Sequence, residues 1–151
     1  MKKINNSIVE KEWVTKEGHN AKVLFLEQGH RCGYIEIKKD SFLFGKNYSC
    51  YSFRLDEITQ DLIDNKNKYE ALNEICVHGG LTYADDLLKD NSHWFGFDCA
   101  HHLDKPDEES QEKYYPNTQN KYHGYNSSNS VIRTLEFCIN ECESLSEQIK
   151  Q

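Results

Sequence analysis

Gly33-Tyr34-Ile35-Glu36-Ile37-Lys38-Lys39 is the stretch on which the fold turns. Side chains alternate across a β-strand, so Tyr34, Glu36 and Lys38 fall on one face and Ile35 and Ile37 on the other. The pattern is that of a strand with one wet side and one side turned to a core. Just upstream, Lys22 to Leu26 carries a short apolar run, and Glu27-Gln28-Gly29-His30-Arg31 between the two reads as a connection. Ile8 to Thr15, with Trp13, adds an edge strand before the turn Gly18-His19-Asn20. Downstream, Glu70 to Thr82 and Trp94 to Cys99 read as further strands, with Gly79-Gly80 marking a bulge, a tight bend or a close backbone approach.

Asp40 to Tyr51 mixes Gly45, Asn47 and Ser49 with four aromatics and reads as an irregular loop pinned by those rings. Arg54 to Asn65 places Leu55, Ile58 and Leu62 at helical spacing, a short helix or a strand with a polar extension. Asp104 to Asn129 holds both prolines and the acidic run Asp107-Glu108-Glu109 without an apolar period, and reads as a long polar surface loop. The chain closes on Val131, Leu135, Cys138, Cys142, Leu145 and Ile149, spaced by fours and threes. They form one apolar stripe of a helix for which Ser130 is suited as the N-cap. The expected architecture is one α+β domain over residues 1–151, a mostly antiparallel sheet with the C-terminal amphipathic helix packed on one face.

With 151 residues, 37% of them apolar, and a formal charge of -7, the chain can build a modest core but offers no clustered Lys and Arg to neutralise nucleic-acid phosphates. Lys38, Lys39, Lys66 and Lys68 are too scattered for that, so no nucleic-acid partner is expected. The acidic surface serves solubility or attracts a basic protein. No secretory apolar core and no membrane-length apolar run is present, so the expected location is cytoplasmic and the six cysteines are expected to stay reduced. They include no Cys-x-x-Cys pair, which argues against a structural zinc site.

The chemistry-bearing residues gather in two short segments. Val77-His78-Gly79-Gly80-Leu81-Thr82-Tyr83 is followed by Trp94-Phe95-Gly96-Phe97-Asp98-Cys99-Ala100-His101. A histidine before two glycines presents an imidazole beside outward backbone N–H groups, and a glycine between two aromatics leaves open space beside Asp98 for a ligand or another backbone. The candidate ligand-binding set is His78, Gly79, Gly80, Thr82, Tyr83, Trp94, Asp98 and His101. A divalent metal, zinc or manganese, would draw on His78, Asp98, His101 and Asp104 and activate water for hydrolysis. Cys99 activated by a histidine is a further reading, weighed against a strand cysteine facing Phe95 and Phe97. Binding of a small phosphate- or ribose-bearing ligand without turnover needs fewer poised groups, with Trp94, Tyr83 or Tyr34 stacking on a base. The bland reading is that these polar groups stitch a small core. Cys138 and Cys142, one helical turn apart, are read as packing rather than as ligands.

These two segments, with Arg31-Cys32-Gly33-Tyr34 and Arg133-Thr134-Leu135-Glu136, resemble a family of small uncharacterised proteins of bacterial, prophage and phage genomes. The resemblance covers most of the chain from Arg31 onward and brings no settled reaction. Its phage association implies a small acidic protein that binds and blocks a host defence component or sequesters a nucleotide signal. The chain departs from the family pattern after His101, where a small residue and a glycine precede the aspartate. Here His102-Leu103 precede Asp104, so Asp104 matches in position while the resemblance leaves its backbone setting and its role open, and His102 has no counterpart and stands outside the site.

Overall fold

The computed structural model describes residues 1–48, 60, 64, 75–120 and 129–149. Six strands form one antiparallel sheet: β1 (Lys3–Ile4), β2 (Ser7–Val14), β3 (Asn20–Phe25), β4 (Arg31–Ile37), β5 (Tyr83–Asp85) and β6 (His93–Asp98). Their order is β1-β2-β3-β4-β6-β5. β7 (Asp104–Lys105) and β8 (Val131–Ile132) pair in parallel apart from it, and the helices with described bounds are α1 (Glu108–Tyr114) and α2 (Leu135–Gln148). The architecture is α+β, with the C-terminal helix packed against the sheet. No helix among the described residues is long and apolar enough to cross a membrane.

One face of the sheet is the core expected from Ile35 and Ile37. Ala21, Val23, Ile35, Ile37, Phe95 and Phe97 meet Cys138, Cys142 and Leu145 of α2 and Ile149 at its C-cap, all of them nearly inaccessible to solvent. Burial of Leu145 and Ile149 contributes roughly 1.5–3 kcal/mol each. The opposite face is drier than its polar residues suggested. Tyr34 is 8% exposed and packs with Leu24, Cys32, Leu87 and Trp94 into a second cluster, so β4 is covered on both sides. Farther along that row Glu36 stays partly exposed, accepting a hydrogen bond from Asn20 Nδ2 at 2.7 Å, and Lys38 is exposed.

Two glycines make this central pairing possible. Gly33 lies opposite Phe97 and Gly96 opposite Tyr34. A Cβ on Gly33 would stand 2.4 Å from the Phe97 ring and 2.8 Å from Cys142 Sγ, and one on Gly96 would stand 2.6 Å from the Tyr34 ring. Each glycine thus lies under the aromatic of its cross-strand partner. The space over Gly96, expected to be open for a ligand, is filled by Tyr34.

Three segments differ from expectation. Ile75 to Thr82, the described part of the anticipated Glu70 to Thr82 strand, is irregular: backbone groups of Cys76 and His78 are satisfied by side chains of α2, and a bond to β6 begins only with Thr82 N donating to Gly96 O at 2.9 Å. Gln148 Oε1 accepts from Cys76 N at 2.7 Å, Gln148 Nε2 donates to Cys76 O at 2.9 Å, and Glu141 Oε1 accepts from His78 N at 2.8 Å. The polar stretch after Asp104 contains β7 and α1. Asp107 caps that helix by accepting from Ser110 N, and the helix docks through buried Gln111, whose Nε2 donates to Glu27 O at 2.6 Å. The cap of α2 is Thr134, whose hydroxyl accepts from Phe137 N at 3.1 Å; Ser130 precedes β8, and Val131 is 49% exposed, outside the helical stripe. Ile8 to Thr15 is a strand as expected, with two-residue β1 beyond it at the edge. Leu43 of the aromatic loop reaches the core, with Phe42 and Phe44 packed beside it. The Arg54 to Asn65 reading lies almost wholly outside the described residues, where only Gln60 and Asp64 are described, both helical.

Candidate functional site

Behind the sheet's end, Asp104 organises a closed cluster. It is fully buried, and its Oδ1 accepts from Arg133 Nε at 2.8 Å while its Oδ2 accepts from His101 N at 2.9 Å. His78 Nε2 stands 2.9 and 2.8 Å from the two oxygens. Burial opposes the charge, yet the bonds from His78, Arg133 and the His101 amide hold the Asp104 carboxyl below its ordinary range. Because Asp104 is ionised, His78 Nε2 is the donor in its pair. Phe137 closes the cluster, its ring 5.3 Å from that of His78 and 5.0 Å under the Arg133 guanidinium.

Arg31 does the same work one strand over. Its Nε donates to Glu10 Oε1 at 2.6 Å, and its Nη1 donates to Asp107 Oδ2 at 2.9 Å and to the Arg133 carbonyl at 3.1 Å. β2, α1 and the lead-in to α2 are tied to β4 through one side chain. Arg31 and Arg133 of the recognisable motifs are therefore structural ties.

The face of β4 and β6 opposite α2 carries a different environment. A groove of about 450 Å³ is lined by Thr82, Tyr83, Asp98 and His101, with His30, Cys32 and Tyr34 on the β4 side. The alternation of side chains explains the gathering: His30, Cys32 and Tyr34 share one face of their strand, and Cys32 pairs with Asp98 and Tyr34 with Gly96 across the ladder. The side chain of Asp98 is 30% exposed. Its Oδ1 accepts from Ala100 N at 3.0 Å and stands 3.2 Å from His101 Nε2. Tyr34 and Tyr83 meet edge to face with centroids 5.3 Å apart. Burial lowers the proton affinity of His30, while the charges of Asp98 and Asp104 pull it back up. Burial and the nearby Asp98 charge push the Cys32 thiol up to about 12, so it is not a thiolate at neutral pH.

Of the eight residues singled out for binding, Thr82, Tyr83, Asp98 and His101 come together in this groove. His78 turns away to Asp104. Gly79 and Gly80 form a turn with positive φ (69° and 79°), closed by Gly80 N donating to Val77 O, and the turn supports the groove from behind. A Cβ on Gly79 would stand 2.1 Å from His101 Nε2, so this glycine lets the backbone lie against the imidazole. Trp94 lies elsewhere, 1% exposed beneath Lys22, with its Nε1 donating to Ser92 Oγ at 2.8 Å. His30 was not foreseen. The available signal was parity, since it sits two residues before Cys32 and four before Tyr34.

For metal binding, both oxygens of Asp104 are occupied by protein donors, and among the described residues no three His, Cys, Asp or Glu side chains are grouped so as to hold an ion. Cys99 is 3% exposed with its Sγ 3.6 Å from Cys138 Sγ; that contact, with burial, raises its thiol far above neutrality, which removes it as a nucleophile. Cys32, Cys76, Cys99, Cys138 and Cys142 are free. Leu103, immediately before Asp104, has φ of 70°, a left-handed backbone that is uncommon for a residue other than glycine. No family model, curated protein or solved structure matches the chain, and the resemblance of its motifs stands on those residues alone.

Proposed function

We propose that this protein works by binding rather than by turnover, as a small phage- or prophage-type inhibitor whose groove engages a host protein. The observation that carries the reading is the groove itself. Thr82, Tyr83, Asp98 and His101 converge with His30 and Tyr34 on one open cavity, yet the Cys32 thiol that lines it is held protonated and the cluster's saturated carboxylate lies behind it. Polar groups, two aromatic rings and a rigid sheet floor suit recognition. The formal charge of -7 favours a basic partner surface, and the resemblance to phage and prophage proteins supports a host defence component as that partner. Sequestration of a nucleotide-like ligand is less well supported, because its phosphate would face Asp98.

The test pairs metal analysis with a binding screen on tag-free protein. Plasma mass spectrometry is expected to find no near-stoichiometric zinc or manganese. Amide chemical shifts recorded against a panel of amines, guanidines, nucleotides and carboxylates are expected to move at Thr82, Ala100 and His101, with each ligand recovered unchanged. Near-stoichiometric metal that is lost in a folded His78→Ala, Asp98→Ala double variant, with turnover abolished by Asp98→Asn, would replace this reading with that of a metal-dependent hydrolase.

A further inference from the structure

We infer that the groove of Asp98 is a receptor for one positively charged group, a guanidinium or ammonium presented by a side chain of a protein partner. This rests on the binding reading above and adds the chemistry of what binds. Asp98 is the only carboxylate lining the groove, and no Lys or Arg lines it among the described residues. The two described arginines are already committed, Arg31 to Glu10 and Asp107, and Arg133 to Asp104. A fixed negative charge therefore faces the cavity without a fixed positive one.

The state of Asp98 sharpens this. Its Oδ1 is engaged by Ala100 N and lies beside His101 Nε2, whereas Oδ2 accepts no hydrogen bond among the described residues. A partly exposed carboxylate held in place by a backbone amide is a ready acceptor for a charged N–H donor. Tyr34 and Tyr83 line the same groove and meet each other edge to face, and burial raises the proton affinity of both phenols, so neither contributes charge. Carboxylate and aromatic together favour a cation by charge-assisted hydrogen bonding and by attraction to the ring quadrupole. Burial keeps His30 neutral, so it adds a polar wall without cancelling Asp98. About 450 Å³ admits such a head group with its aliphatic stem. An anion would meet Asp98 directly.

The experiment titrates four probes into the whole protein and reads the amides of Thr82, Ala100 and His101: Nα-acetyl-arginine methylamide, the lysine analogue, the neutral citrulline analogue and inorganic phosphate. The arginine or lysine probe is expected to shift these amides saturably, at least tenfold more tightly than citrulline, with affinity that falls as salt is raised. Asp98→Asn is expected to weaken the cation at least tenfold. Tyr83→Leu, which leaves the carboxylate in place, is expected to weaken it several-fold and serves if Asp98→Asn perturbs the spectrum broadly. Equal response to citrulline, or a cation affinity unchanged in both variants, overturns the inference. Phosphate shifting these amides while the cations do not overturns it and leaves the binding reading standing. Silence from all four probes also overturns it, and the wider ligand panel then decides the binding reading separately.

Discussion

Asp98 and Asp104 stand six residues apart in one motif, and the fold gives them opposite fates. Asp104 is fully buried and saturated by His78, Arg133 and a backbone amide; Asp98 is 30% exposed, and its Oδ2 accepts no hydrogen bond among the described residues. The first holds segments together and the second is available to a partner. Sequence spacing alone made the two look like members of one site, and burial separates them. A carboxylate whose acceptors are all used is part of the scaffold, whatever its neighbours.

The most direct way to break this contrast is Asp104→Asn. The amide keeps the shape but loses the charge that His78 and Arg133 answer, leaving a cation facing a buried neutral group. A loss of about 3–5 kcal/mol in urea unfolding is expected. A loss near that of an exposed substitution would mean the cluster is not the tie described. The same logic sets an acid limit. Asp104 and Asp107 have carboxyls lowered in the folded state, so their stabilisation is present above the unfolded value of about 3.9 and is lost as pH falls through the folded one. Burial lowers His19 and His30, so folding favours their neutral forms, and stability is expected to begin falling already as pH drops below about 6.5. Unfolding midpoints from pH 8 to 3 would therefore decline in two stages.

Next in size is the turn that backs the groove. Gly79→Ala adds a Cβ that meets the His101 ring, on top of a positive φ, and a loss of about 2–4 kcal/mol is expected. Gly80→Ala, with the same sign of φ and open space around its Cβ, is expected to cost only about 1–2 kcal/mol. Thermal melts of the pair give the difference directly. Equal losses would show that contact with His101 adds nothing to backbone strain.

These contrasts also mark what could be read from the chain beforehand. β4, β6 and α2 were legible because apolar side chains on a two-residue or a three-to-four-residue period carry their own geometry. Tyr34 looked solvent-facing because alternation reports which face a residue takes, not whether that face is later covered by Trp94 and Leu87. α1 escaped notice because the residue that seats it is Gln111, and a buried amide held by the carbonyl of Glu27 leaves no apolar period. Ile75 to Thr82 has strand-like composition, but its partners are Glu141 and Gln148, more than 60 residues away in a helix. Thr82, Tyr83, Asp98 and His101 were visible as a group by residue type. His30 was not, since only the cross-strand register of β4 with β6 brings it to them.

A smaller effect sharpens the scaffold side. Leu103 holds a left-handed φ of 70° immediately before Asp104, a conformation glycine adopts freely. Leu103→Gly is expected to stabilise the protein by roughly 0.5–1 kcal/mol, strain relief outweighing glycine's extra chain entropy. A destabilised variant would show that the half-buried Leu103 side chain contributes more than its backbone costs.

The smallest expected effect on folding is the most telling for Asp98. Asp98→Asn keeps an oxygen to accept from Ala100 N and changes a charge that solvent already screens, so unfolding free energy is expected to move by less than about 0.5 kcal/mol. Urea denaturation beside Asp104→Asn makes the comparison internal, because both replace a carboxylate by its amide within one motif. If Asp98→Asn costs as much as Asp104→Asn, Asp98 is a second structural tie and the groove loses its free acceptor. If the fold is indifferent to it, the carboxylate on β6 is not a structural tie, and its Oδ2, without a hydrogen bond among the described residues, is left for the cation titration to test.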